Sequence, residues 1–190
     1  MYNYGYILIP HDTYFQWKNA TLNNGYDVDG AYGCQCWDFA AEFWWNVGFP
    51  QGYPTLAGTH SAYGAWDDRI QNAGDKFDLI YDKTQIKQGD VIVYNYFTGN
   101  PYGHIGFADE DYNGTNNLQI LSENNGGTPY PGGGAFVNVH NYNLAYFRGA
   151  FRYKAWHTTP PTPTVSGIKK FPWVLYANKL RNKCYNKNRQ

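Results

Sequence analysis

The sequence has little charge, few cysteines and no long hydrophobic run. Only 16% of its 190 residues are charged, and 15 basic side chains balance 15 acidic ones. Three cysteines are too few for a disulfide framework. No stretch approaches the length of a membrane span. The first ten residues lack the basic segment and the cleavage pattern of a signal peptide, so we expect none.

Aromatic residues are abundant instead, at 19% of the chain with 19 Tyr and 7 Trp. They suit either an aromatic β-sheet core or a surface that contacts sugars. All acidic residues lie between Asp12 and Glu123, whereas residues 168–190 contain seven basic residues and no acidic one. The negative main body disfavours nucleic-acid binding. The basic tail suits an anionic wall polymer, nucleic acid, an acidic partner or simple solvation.

Two helices are indicated in the first third of the chain. Thr13 and Gln16 form a capping-box pattern that predicts a helix over 14–22. Apolar residues at helical spacing then predict a core-facing helix that stops before Gly48 and Pro50. These are Cys36, Phe39, Ala40, Phe43, Trp44 and Val47. Residues 61–73 predict a weaker helix that ends at Gly74.

The second half of the chain predicts short strands separated by Gly, Asn and Pro turns. The runs are 89–94, 103–109, 118–123, 135–139 and 145–153. Helices followed by antiparallel strands indicate an α+β fold. We predict a catalytic domain over 1–157, a Pro/Thr-rich linker over 158–167 and a basic aromatic tail over 168–190.

Cys36 and His104 are the candidate nucleophile and base. Cys36 begins the core-facing helix, where free N–H groups and the helix dipole favour a thiolate and should lower the thiol pKa. His104 lies between Gly103 and Gly106, whose missing side chains would let a substrate approach. The alternatives are a buried packing thiol, the role that we assign to Cys34, or a zinc site. Zinc is disfavoured because it needs three or four ligands.

Glu123 and Asn125 are the candidates that complete the site. Glu123 ends a strand that should pair with the His104 strand, so it is placed to orient the imidazole. Asn125 suits the same role, or it could donate a hydrogen bond to an oxyanion.

An acidic loop precedes Cys36. Counting Asp27 as position 1 puts Asp29 at position 3 and Asp38 at position 12, while Ala31 and Gly33 offer backbone carbonyls. Such an oxygen-rich loop suits Ca²⁺ better than Mg²⁺. The alternative is an Asp-Gly turn followed by helix-capping acids.

Four motifs resemble the CHAP domain, the cysteine/histidine-dependent amidohydrolase/peptidase of phage lysins and bacterial wall hydrolases. They are Gly33-x-Gln35-Cys36-Trp37-Asp38-Phe39, Gly89-Asp90-Val91, Gly103-His104-Ile105-Gly106 and Glu123-Asn124-Asn125. The resemblance spans roughly residues 13–153 and implies a papain-like α+β fold. It implies that Cys36 is the nucleophile, that His104 is the base, and that Glu123 and Asn125 complete the site. It also implies a structural Ca²⁺ bound by Asp27, Asp29 and Asp38.

The function expected from this resemblance is hydrolysis of a peptidoglycan amide bond, by an endopeptidase or an N-acetylmuramoyl-L-alanine amidase. We expect a phage or virion-associated lysin that is made in the host cytoplasm and acts on the Gram-positive cell wall. We then expect either that a wall-binding domain lies elsewhere or that the tail contacts the virion or another subunit. The alternatives are a non-catalytic module that binds wall carbohydrate and a structural tail protein of a phage.

Overall fold

The computed structural model describes residues 2–127, 129 and 132–158. The predicted tail, and the predicted linker beyond Thr158, lie outside the described residues. Four α-helices are present in the described part of the chain. They are α1 (Tyr14–Thr21), α2 (Cys36–Asn46), α3 (Arg69–Ala73) and α4 (Lys154–His157). None of them is long and apolar enough to cross a membrane.

The two predicted N-terminal helices form where the sequence places them. Thr13 caps α1, since its side chain accepts from Gln16 N while the Gln16 side chain accepts from Thr13 N. All six apolar residues of the second helical pattern are buried. The predicted helix over 61–73 is wrong in part. It is split into a 3₁₀ turn (Ala62–Trp66) and the short α3, which ends at Gly74 as predicted.

Eight strands form two sheets in the described residues. β1 (Tyr2–Tyr4) and β2 (Gly25–Asp27) pair in parallel. The others form an antiparallel sheet with the order β3-β8-β4-β5-β6-β7. They are β3 (Phe77–Ile80), β4 (Val91–Tyr94), β5 (His104–Ala108), β6 (Asn117–Ser122), β7 (Asn138–Asn143) and β8 (Phe147–Tyr153). The α+β prediction is therefore confirmed.

The sheet carries a hydrophobic core on each face. Helices α1 and α2 cover one face with large aromatic side chains, and the other face packs Ile and Leu around the buried Tyr94. The Phe43 ring lies 5.0 Å from the Trp17 ring and 5.0 Å from the Phe107 ring, measured between centroids. This contact joins α1, α2 and β5. It therefore fixes the helix that begins at Cys36 against the strand that begins at His104.

A buried ion pair explains the Gly89-Asp90-Val91 motif. The carboxylate of Asp90 is fully buried and accepts from Nε and Nη2 of Arg152 at 2.9 and 2.7 Å. Gly89 precedes it with φ +89°, and a Cβ there would press on the Trp156 ring. The motif therefore joins the start of β4 to β8 and has a structural role.

Candidate active site

Cys36 is the first residue of α2, and its sulfur lies against the beginning of β5. The N–H groups of Ile105 and Trp37 donate toward this sulfur. Ile105 directly follows His104 in β5, so the fold brings the predicted nucleophile to the strand of the predicted base. Cys36 is 9% exposed and His104 is 3% exposed, so both side chains are almost fully shielded from solvent.

The prediction that the helix N-terminus lowers the thiol pKa is wrong for this structure. Burial raises the pKa of Cys36 to about 12, and the negative charges of Asp38 and Glu123 act in the same direction. The Ile105 and Trp37 N–H groups oppose the increase without overcoming it. Desolvation therefore outweighs the helix dipole, whose influence is confined to the first turn and is modest. Burial also raises the pKa of Cys34, which lies before the helix, to about 12.

The imidazole of His104 packs against two aromatic rings. Its imidazole stacks on the ring of Tyr142, with centroids 4.6 Å apart and planes 11° apart, and the Tyr94 ring lies 6.3 Å away. Burial lowers the pKa of His104 to about 3, and the charge of His140 adds to this effect. The imidazole is therefore neutral at neutral pH. Its Nε2 atom is buried and has no hydrogen-bond partner.

The glycines beside His104 make room for the protein itself, which corrects their predicted role. A Cβ on Gly106 would lie 2.6 Å from Cγ2 of Ile120 and 2.8 Å from Cβ of Ser122. Gly103 has φ +66°, and a Cβ there would press on the backbone oxygen of Tyr94. The space that the sequence suggested for a substrate is thus filled by β6 and β4.

Replacing Gly106 with alanine should therefore destabilise the strand that carries His104. We expect the free energy of unfolding to fall by roughly 1–3 kcal/mol, since the added methyl group must displace well-packed neighbours. Urea unfolding followed by tryptophan fluorescence measures this change. An unchanged unfolding midpoint would show that β5 and β6 are not packed as closely as described.

Glu123 does not contact His104 in the structure. Its Oε1 accepts a hydrogen bond from Tyr26 N, and its Oε2 is buried without a partner. Phe107 pairs with Leu121, so the same register places Glu123 opposite Ile105. Because neighbouring residues of a strand face opposite sides, Glu123 and His104 lie on different faces of the sheet. The expected orienting contact is therefore not formed.

Glu123 instead belongs to a group of buried acids. Burial raises the pKa of its carboxyl well above the usual range, and the charges of Asp38, Asp27 and Glu42 add to the increase. Glu42 is also fully buried, and its pKa is raised to about 7 by burial. Glu42 accepts from Ile7 N at 2.8 Å and so holds the N-terminal segment on α2. Sequence pattern gives no signal for this role, because Glu42 lies outside the apolar stripe of α2, in line with Asp38 and Asn46, a position typical of a solvent-facing acid.

Asn125 and its neighbour Asn124 connect β6 to the nucleophile helix. Asn125 is 4% exposed, its Nδ2 donates to Ile120 O at 3.2 Å, and its Oδ1 is buried without a partner. Asn124 has φ +49°, and its Nδ2 donates to Oε1 of Gln35 at 2.7 Å. Gln35 is the N-cap residue of α2. The segment after β6 is therefore tied to the residue directly before Cys36.

The acidic loop brings three carboxylates together. One oxygen each of Asp27, Asp29 and Asp38 lie within 4.8 Å of one another. Asp38 accepts from Val28 N and Gln35 N, which holds its carboxylate at the start of α2. Burial raises the pKa of Asp38 to about 8, and the charge of Asp29 is the next largest cause. The cluster is thus a site of like-charge repulsion that a cation would relieve.

The backbone of this loop is held in unusual conformations. Gly30, Tyr32 and Gly33 all have positive φ angles, and Ala31 N donates to Oδ1 of Asp29. A Cβ on Gly33 would overlap the backbone of residues 132 and 133, so the loop packs closely there. Cys34 follows, fully buried, and takes the packing role that the sequence predicted for it.

Comparison with known proteins identifies the family. A family model for the CHAP domain matches residues 23–125, more than half of the chain. This region contains the acidic loop, Cys36, His104 and the segment after β6. The chain belongs to the CHAP domain family, as its motifs predicted.

Two phage proteins are similar in sequence. The D-alanyl-L-alanine endopeptidase of Streptococcus phage B30 is 30% identical over 165 residues, covering 86% of this chain and 35% of that protein. Endolysin PlyTW of Staphylococcus phage Twort is 30% identical over 131 residues, covering 65% of this chain and 26% of that protein. The chain therefore spans only about a quarter to a third of the length of these relatives.

A solved structure supports the fold. The wild-type endolysin LysIME-EF1 matches with a TM-score of 0.57 and 25% sequence identity, covering 77% of this chain and 65% of that chain. The arrangement of helices on an antiparallel sheet is thus shared with an endolysin.

Proposed function

We propose that this protein is a peptidoglycan hydrolase that cleaves an amide bond, as an endopeptidase or an N-acetylmuramoyl-L-alanine amidase. The observation that carries the proposal is the position of Cys36, whose sulfur lies at the N-terminus of α2 against the N–H of Ile105, next to His104. The names of the similar phage proteins, an endopeptidase and an endolysin, support this reaction class.

The proposed reaction is nucleophilic catalysis in two steps. The Cys36 thiol transfers its proton to His104 as the sulfur attacks the substrate carbonyl. The N–H group of Cys36, at the first position of α2, has no intrahelical acceptor and stabilises the oxyanion. The amine leaves with the proton from His104, and a thioester forms at Cys36. Water then hydrolyses the thioester, with His104 again acting as the base.

Asn125 suits the role of orienting His104 better than Glu123 does. Glu123 is bonded to Tyr26 N and lies on the other face of the sheet. Asn125 has a buried oxygen, Oδ1, that lacks a donor, and His104 has a buried nitrogen, Nε2, that lacks an acceptor. Once His104 carries the proton from Cys36, both of its ring nitrogens are donors. An amide oxygen is then the complementary acceptor, whereas Glu123 acts through Tyr26 and the loop.

A structural Ca²⁺ in the acidic loop is part of the proposal. The close carboxylate oxygens of Asp27, Asp29 and Asp38 form a hard oxygen donor set, which is the kind that Ca²⁺ prefers. The carbonyls of Ala31 and Gly33 would complete the ligands. When bound, the ion would neutralise the cluster and order the loop before α2. Its role would be positional, since none of the reaction steps requires a Lewis acid.

We propose the Gram-positive cell wall as the place of action, as part of a phage lysin or a virion-associated lysin. The seven basic residues of 168–190 suit contact with a virion component or another subunit.

The test is digestion of purified Gram-positive walls, followed by turbidity and by mass spectrometry of the products. We expect clearing that releases new amino groups without new reducing sugar ends, because an amide bond is cut and the glycan stays intact. Release of reducing ends would instead indicate a glycosidase. Wall binding without clearing across a broad panel of walls would favour a non-catalytic binding module.

A further inference from the structure

The ring of Tyr142 is the surface against which His104 rests. The two ring planes differ by 11° and their centroids are 4.6 Å apart, which is close to parallel stacking. Tyr142 also contacts the ring of the fully buried Tyr94, with centroids 4.5 Å apart. Tyr94 is the direct strand partner of His104. The imidazole therefore lies in an aromatic corner formed by Tyr94 and Tyr142.

Tyr142 reaches His104 although β7 and β5 are separated by β6 in the sheet. The chain leaves β7 through a 3₁₀ turn (Leu144–Tyr146) and enters β8, where Phe147 pairs with Tyr94. The end of β7 is thereby carried back to the beginning of β5. Nδ2 of Asn100 donates to Gly103 O at 2.9 Å and lies 3.5 Å from the Tyr142 hydroxyl, at the limit of a hydrogen bond, so this hydroxyl contact is weak.

While the imidazole is neutral, stacking on Tyr142 sets its plane, because the proposed bond to Asn125 forms only once His104 is protonated. Nε2 of His104 is buried without a hydrogen-bond partner, and Glu123 is engaged on the other face of the sheet. Proton exchange with a thiol requires a ring held in one orientation, because small misplacements of a catalytic group lower the rate strongly. An aromatic face also attracts the imidazolium cation that forms when His104 takes the proton.

We propose that Tyr142 is a positioning residue, whose ring holds the His104 imidazole in the plane needed for proton exchange with Cys36. The inference depends on the proposed function, in which His104 is the base. It assigns the effect to the flat ring of Tyr142 and not to its hydroxyl. A phenylalanine at this position should therefore serve nearly as well, whereas a leucine of similar bulk should not.

The kinetic test compares Tyr142→Leu, Tyr142→Phe and wild type on purified Gram-positive walls. Tyr112→Leu is the matched control, since Tyr112 is another half-buried tyrosine packed on the same core cluster as Tyr142. We expect Tyr142→Leu to lower the maximal rate about tenfold with the half-saturating wall concentration unchanged. Tyr142→Phe should stay within about twofold of wild type, as should Tyr112→Leu.

A spectroscopic readout separates packing from chemistry. In protein with labelled histidine, a stacked tyrosine shifts the His104 ring protons upfield, and His104→Gln identifies these resonances. Tyr142→Leu should remove the upfield shift and Tyr142→Phe should keep it, whether or not the sample is active. Circular dichroism melts establish that each variant is folded.

The outcomes distinguish this inference from the proposed function. If wild-type protein cleaves no wall, the proposed function fails and the positioning role fails with it, even if the ring shift is present. If wild type cleaves walls but Tyr142→Leu is as active as Tyr112→Leu, only the positioning role is overturned. A loss in Tyr142→Phe equal to that in Tyr142→Leu would also overturn it, because the hydroxyl would then be responsible.

Discussion

Replacing Cys36 with alanine should remove wall-clearing activity while leaving the fold intact. The sulfur is the only group at the start of α2 that can form the covalent intermediate proposed for this site. Loss of a nucleophile that works together with a base typically costs at least about 10⁴-fold in rate. Turbidity loss of purified walls measures the effect, and circular dichroism with thermal melting tests the fold.

Cys34 provides a matched control for this experiment. It lies two residues before Cys36 and is a fully buried free thiol that packs near Gly25. Cys34→Ala should cost about 1 kcal/mol of stability, as the loss of a small buried group does, and should keep most of the activity. Full activity in Cys36→Ala would disprove the nucleophile assignment. If folded Cys34→Ala were inactive while Cys36→Ala stayed active, Cys34 would be the nucleophile.

The nucleophile helix could be predicted from the sequence because its signals are local. The apolar stripe from Cys36 to Val47 repeats at helical spacing and ends before Gly48. The capping box at Thr13 is likewise contained within four residues. The pairing of β5 with β6 was also predicted correctly, since both strands are rich in buried apolar residues. Strong local patterns of this kind survive tertiary packing.

The strands that the sequence analysis missed have weak patterns. β7 has the sequence Asn-Val-His-Asn-Tyr-Asn and lies at the edge of the sheet, so it is mostly polar. The prediction placed a strand over 135–139, which overlaps β7 at only two residues. β3 is four residues long and was missed for the same reason. Edge strands and short strands bury few side chains, so periodicity gives little signal there.

The parts of the candidate site that could not be predicted depend on distant contacts. Glu123 is one residue out of phase with His104, so pairing of their strands does not bring the side chains together. The stack of Tyr142 on His104 depends on where the chain re-enters the sheet at Phe147. The pKa of Cys36 depends on burial that the helix position alone does not reveal. By contrast, the resemblance to the CHAP domain grouped Asp27, Asp29 and Asp38, and their carboxylate oxygens do lie close together.

Calcium should raise the melting temperature of the wild-type protein, and Asp29→Asn should make that increase smaller. With free Ca²⁺ at 100 times its Kd, binding contributes about 2.7 kcal/mol to the free energy of unfolding. For a folded unit of this size, that raises Tm by roughly 5–10 °C relative to EGTA. Asp29 is an exposed member of the cluster, so Asn in its place should weaken binding and reduce this increase with little loss of packing.

The sign of the effect in EGTA makes this test specific. Without a cation, Asp29 repels the buried Asp38, and the pKa of Asp38 is raised to about 8 by burial and then by this charge. Asp29→Asn removes that repulsion, so in EGTA the variant should melt at or above the wild-type Tm, and in calcium below it. Asp75→Asn, at an exposed acid outside the cluster, should behave as wild type in both buffers. An equal change in Tm between EGTA and calcium for wild type and Asp29→Asn would disprove a calcium site in this loop.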